Sequence, residues 1–177
     1  MLISERMLGA LNEQIGHEYS ASLQYTAIAA YFDCETLPLL SSHFFDQAEE
    51  EKEHAHKIIK FVLDTGGKVA IPAIPAIPAP QNTFQFTEEA VGLSLAQEKK
   101  VSAQINALVH IAKDENDYTT EQFLQWFVQE QLEEVSSMED LLSIVQRAGE
   151  GNLLRVEEYL ARKGGKGAGF KNLGGED

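Results

Sequence analysis

Cysteine is nearly missing from this sequence. Cys34 is the one residue of its kind, so no disulfide can form within the chain, and a reducing cytoplasm is the expected setting. Basic residues are also scarce: 14 Lys and Arg stand against 28 Asp and Glu, a formal net charge of -14. Phosphate backbones need clustered cationic side chains, so nucleic acid is not an expected partner. Cations are favoured instead. Long apolar runs are absent from the opening MLISERMLGA, which carries Glu5 and Arg6. It reads as neither a signal peptide nor a membrane span. Proline is confined, with four of the five residues at Pro72, Pro75, Pro78 and Pro80. What the chain does hold is apolar material, 44% of 177 residues, enough for the core of one ordinary domain and too much for wholesale disorder.

Four long stretches carry helical periodicity: Ser4 to Phe32, Pro38 to Asp64, Thr87 to Ala112 and Thr119 to Ala148. Their length suits a helix bundle. Pro38 fits a first helical turn, and Gly66-Gly67 fits a helix stop. Thr87, followed by Glu88 and Glu89, is expected to cap the third helix, with the two carboxylates at the positive end of its dipole.

Between the second and third helices, the segment from Gly66 to Phe86 repeats Ile-Pro-Ala. Its prolines exclude a helix and favour an extended, polyproline-like strap. Such a strap can run the length of a bundle and set helix three parallel to helix two. It reads as an ordered crossover packing its Ile residues on a neighbour, with a partner-binding motif as the alternative. A short fifth amphipathic helix is expected over Asn152 to Lys163. Residues 1–163 then form one domain, and 164–177 a glycine-rich flexible tail.

The chemistry lies in the helix seams. The first reads Leu8, Leu11, Ile15, Glu18, Ser22, Tyr25, Ala29, Phe32. The second reads Phe44, Gln47, Glu51, His54, Ile58, Phe61; the third Val91, Ser94, Glu98, Val101, Ile105, Leu108; the fourth Leu124, Phe127, Gln131, Glu134, Met138, Leu141, Val145. Every seam is apolar toward its ends and interrupted near its middle by a glutamate. An ionised carboxylate in a bundle core costs several kcal/mol, and four together repel one another. No Lys or Arg lies in the seams to compensate. Two divalent ions would match four carboxylates charge for charge. Glu51 and His54, one turn apart, point to a shared site, and their mixed oxygen and nitrogen donors suit iron, manganese or zinc. Glu53 and His56 repeat the Glu-x-x-His spacing off the seam and read as surface or cavity-facing, with auxiliary metal binding as the alternative. His17, His43 and His110 read as ordinary.

The stretches LNEQIGHEYSASLQY, QAEEEKEHAH, QEKKVSAQINALVHIA and FLQWFVQEQLEE together resemble the ferritin family, specifically bacterial-type non-haem ferritin, across about Leu2 to Lys163. The resemblance implies an all-α, ferritin-like four-helix bundle with a long crossover and a short fifth helix. It implies that Glu18, Glu51 and His54 hold a first iron, and that Glu51 bridges to a second held by Glu98 and Glu134. Tyr25 matches the tyrosine beside that centre, and Gln131 the glutamine that replaces a further ligand. Glu50, Glu130, Glu133 and Glu134 match a third, weaker iron site. Helix four offers Gln131-x-x-Glu134 where rubrerythrins and bacterioferritins carry Glu-x-x-His, and Lys52 stands where a haem-ligating methionine is expected, so haem is not.

The activity implied is that of a ferroxidase. Ferrous iron is oxidised by dioxygen, and the ferric product is laid down as mineral inside a cytoplasmic homo-oligomeric shell of 24 subunits. Leu153, Leu154, Val156, Tyr159 and Leu160 of the fifth helix would pack around fourfold axes, and Asp114, Glu115, Asp117 and Glu121 would line threefold channels. The rival readings are a ferritin-like di-iron or di-manganese oxidase or peroxidase without storage, and a metal-buffering shell with little catalysis. A purely structural bundle leaves the buried carboxylates unexplained.

Overall fold

The computed structural model describes residues 1–77 and 83–163. Among them all regular structure is helical: α1 (Glu5–Cys34), α2 (Pro38–Asp64), α3 (Thr87–Asp114), α4 (Tyr118–Ala148), a 3-10 turn (Glu150–Asn152) and α5 (Leu154–Lys163). No helix among them is long and apolar enough to cross a membrane. The glycine-rich tail lies outside the described residues, as do Pro78 and Pro80 of the strap.

The helix ends are fixed by specific groups. Ser4 caps α1, accepting from the Met7 amide at 3.0 Å while donating to Glu115 at 2.6 Å. Pro38 opens α2 as expected. Its cap residue, Leu37, has no side-chain acceptor to offer, and Glu157 of α5 supplies one instead. The Glu157 carboxylate accepts from the Leu39 and Leu40 amides, both at 2.9 Å. A remote residue thus satisfies two orphan donors of a helix start. Thr65 closes α2, and Gly66 turns the chain at φ 80.

Several boundaries differ from expectation by one or two residues, and two of the helix starts have a specific cause. Thr87 does not cap α3; it is the first helical residue after Phe86, and its hydroxyl donates to Glu150 at 3.2 Å. That partner, distant in sequence, takes the oxygen a local cap would have used. Helix α4 starts one residue earlier than Thr119, because the Asp117 side chain accepts from the Thr120 amide at 2.9 Å.

Antiparallel pairing follows from the ends. The Leu2 amide donates to Thr65 at 2.8 Å, joining the start of α1 to the end of α2. Arg6 pairs with Asp114 and Glu115, joining the start of α1 to the end of α3. Helices α2 and α3 both run against α1 and are therefore parallel to each other, which only a full-length crossover permits. The strap provides it. Near its start, Asn12 donates to the Lys68 carbonyl (3.1 Å) and accepts from the Ala70 amide (2.9 Å). Near its end, Phe84 packs on Tyr31 with ring centroids 5.2 Å apart. From Asn12 to Tyr31 is roughly 28 Å of helix at 1.5 Å per residue. Between these anchors Pro72 lies so close to Gly16 that a Cβ there would meet Pro72 Cγ at 2.4 Å.

The core is divided. One apolar cluster gathers Ile28, Phe32, Leu40, Phe44, Val91, Leu141 and Val145, and reaches Val156 of α5. The other gathers Met7, Leu11, Ile15, Ile58, Val62, Ile105, Leu108 and Leu124. Apart from the terminal Leu8 and Phe61 and the central Ser22, which are half-buried, every residue of the four sequence seams is buried. Helix α1 buries a second stripe as well, including Met7, Gln14, Ala21 and Ile28, because α2, α3 and the strap cover it from several sides.

Candidate metal centre

Between the two apolar clusters lies a polar layer drawn from all four long helices. Glu18, Tyr25 and Glu98 are wholly inaccessible, and Glu51, His54, Gln131 and Glu134 are buried beside them. The sequence placed all seven here. One carboxylate oxygen each from Glu18 and Glu51 and one ring nitrogen of His54 lie within 4.8 Å of one another, close enough to share an ion. Glu98 and Glu134 are outside that trio but within electrostatic reach. The Glu98 charge acts on both Glu51 and Glu134.

Burial first, and mutual repulsion second, push these carboxyls upward. Glu18 and Glu51 rise well above the ordinary carboxylate range, the Glu51 charge adding to the first and the Glu98 charge to the second. Glu134 is pushed up to about 8 by burial and by Glu98. Tyr25 is raised well above its usual range by burial and by Glu98, to which its hydroxyl donates. A layer so arranged holds protons where it would otherwise hold charge, and gives them up when a cation arrives.

Two of these carboxyls are half-satisfied within the chain. Gln14 donates to Glu18 Oε1 at 2.9 Å, while Glu18 Oε2 is buried without a partner. Tyr25 donates to Glu98 Oε1, while Glu98 Oε2 is buried without one. Glu51 Oε2 and His54 Nδ1 are likewise unpartnered, 3.5 Å apart. Buried polar atoms are almost always paired, and four such atoms converging in one layer fit a cation held among them. On Gln131, the Oε1 atom accepts from Ser102 at 3.0 Å, which turns its amide nitrogen toward Glu98.

The remaining expected site residues lie on an adjoining cleft of about 900 Å³ between α2 and α4, bounded at one end by α5. Glu50, Glu130 and Glu133 line it, and Glu134 spans cleft and buried layer. Asp46, Glu49 and Glu53 add further carboxylates, against one cation, Lys163, which donates to Ser137 at 2.9 Å. His43 also lines the cleft. Burial, and the Lys163 charge after it, lowers its pKa to about 4, and its Nε2 has no hydrogen-bond partner. The expected channel acids are engaged within the chain: Asp114 and Glu115 by Arg6, Glu115 also by Ser4, Asp117 as a helix cap, and Glu121 by Lys113 at 3.8 Å.

Sequence reasoning missed Gln14, Ser102 and Trp126. Gln14 stands one turn before Glu18 and Ser102 one turn after Glu98, so helical spacing from a candidate ligand was the available signal. Trp126 sets its ring against His54 at 5.4 Å, with Lys57 Nζ 3.8 Å from the ring centre on its open side. Nothing local marked that contact.

Comparison with known proteins agrees with this architecture. The ferritin-like domain family matches residues 8–148. Ferritin BfrB of Mycobacterium tuberculosis is 44% identical over 153 residues, covering 86% of this chain and 82% of that protein. The bacterial non-heme ferritin of Staphylococcus aureus is 38% identical over 149 residues, covering 84% and 88%. Among solved structures, an open-pore ferritin from the archaeon Archaeoglobus fulgidus superposes with a TM-score of 0.85 at 34% identity, covering 90% of this chain and 97% of that one. With the divided bundle and its converging carboxylates, these matches establish that the chain belongs to the ferritin family.

Proposed function

We propose that this chain is the subunit of a non-haem, iron-storing ferritin that oxidises ferrous iron with dioxygen inside the bundle. The observation that carries the reading is the set of four unpartnered buried ligand atoms on Glu18, Glu51, His54 and Glu98. Ferrous iron is the substrate. Glu18, Glu51 and His54 hold one ion, and Glu51, Glu98 and Glu134 the second. Each ion yields one electron, and dioxygen accepts the pair. The protein contributes fixed donors, a dry surround and charge balance. Because these carboxyls are raised, iron binding displaces protons, and affinity rises with pH. Tyr25 holds Glu98 in place through its hydroxyl.

Ferric iron then leaves along Glu134 into the acidic cleft, where Glu50, Glu130 and Glu133 provide a third, weaker site. The shell is a cytoplasmic assembly of 24 copies, and residues 1–163 are its folded unit. Leu154, 74% exposed on α5, is an apolar residue the lone chain leaves uncovered; packing between copies would cover it.

Joint Glu51→Ala and His54→Ala replacement is expected to abolish rapid ferrous oxidation in stopped-flow absorbance while assembly survives. Wild-type rates in that variant would remove the centre from these residues. Light scattering tests storage separately: a monomer or dimer leaves a ferritin-like di-iron oxidase in its place.

A further inference from the structure

We propose that Gln14 is a positioning residue of the metal centre, one that makes Glu18 a single-oxygen donor; this rests on the metal-centre reading above. Gln14 lies on α1 one turn before Glu18 and is 2% exposed. Its amide donates to Glu18 Oε1 at 2.9 Å, and the opposite oxygen, Oε2, is the one left buried and unpartnered. The hydrogen bond therefore sorts the two oxygens of one carboxylate. Oε1 is held by the protein, and Oε2 is the oxygen free to serve an ion shared with Glu51 and His54, to which Glu18 brings one oxygen.

An amide suits this position for two reasons. It donates through nitrogen without adding a fifth negative charge to a layer that already repels itself. It also fixes the carboxylate rotamer before any ion arrives, as outer hydrogen-bond partners of metal ligands do. A free carboxylate can chelate through both oxygens and fill an extra coordination position. The Gln14 amide occupies one lone pair of Oε1 and fixes the carboxylate plane, which disfavours chelation and leaves the position open for an incoming molecule such as dioxygen. Gln14 touches neither metal nor oxidant in this role; it acts through Glu18.

The test is an anaerobic titration of the assembled, metal-free protein with Co2+, whose visible d–d band reports coordination number. Quenching of Trp126, the one tryptophan and a neighbour of His54, follows occupancy independently. Gln14→Leu and Gln14→Met remove the donor at similar length. In both, the first Co2+ is expected to bind about 10- to 100-fold more weakly, with a band weakened as coordination number rises, while the second ion is little affected. A first-bound Co2+ with the wild-type band in either variant overturns the proposal, whatever the melting temperature. If wild-type protein binds no Co2+, the metal-centre reading itself falls, and this inference with it.

Discussion

The raised carboxyl of Glu134 makes the metal-free protein less stable as pH rises, and one substitution isolates the effect. Glu134 sits at about 8 in the folded chain against an ordinary value of 4.5. Between those values the folded state holds a proton that the unfolded state has released. Stability therefore falls with pH across that window, by about 1.36 kcal/mol per unit for one proton. From pH 5 to pH 7 the loss from this group is about 3 kcal/mol, or roughly 6–12 °C in melting temperature for a chain of this size. Glu134→Gln keeps the shape and removes the proton. Urea unfolding followed by circular dichroism, at fixed protein concentration with chelator present, gives the slope for each protein. The wild-type slope is expected to be steeper by about one proton, and saturating Zn2+ is expected to reverse its sign, since binding the cation displaces protons. Identical slopes for wild type and Glu134→Gln without metal would refute the buried-proton account.

Two further substitutions test the frame around the centre. Glu157→Ala removes the acceptor for both the Leu39 and Leu40 amides and is expected to cost about 1–3 kcal/mol; thermal melting together with protease sensitivity of α5 checks it, and unchanged values would deny Glu157 a role in docking that helix. Gly16→Ala gains up to about 1 kcal/mol of helix propensity but drives its methyl into Pro72. Limited proteolysis is expected to cut residues 68–77 faster in that variant, and equal rates would mean that the strap does not depend on this contact.

The four seams and their central glutamates were readable because burial repeats with helical period, and a charged residue breaking an apolar stripe stands out. The order of helices and the long crossover followed from proline chemistry. Glu157 and the partner of Thr87 were not readable, because each acts on a residue brought near only by the fold. Gln14 was hidden for another reason. A glutamine on a helix reads as solvent-facing unless a second buried stripe is suspected, and α1 acquires that stripe because α2, α3 and the strap all cover it. Local spacing therefore found the buried polar layer, while Ser102 and Trp126 reach it only through tertiary structure.

The divided core has a consequence for the life of the molecule. Two apolar clusters, each cohesive, meet at a slab whose carboxyls repel and whose lone pairs lack partners. A cation seated there adds its binding free energy to that of folding. Empty chains are then the fraction most open to unfolding and degradation, and filled chains persist. A cell holding this protein would keep more of it when metal is abundant and lose it when metal is scarce, with no sensor beyond the bundle's own weak midline.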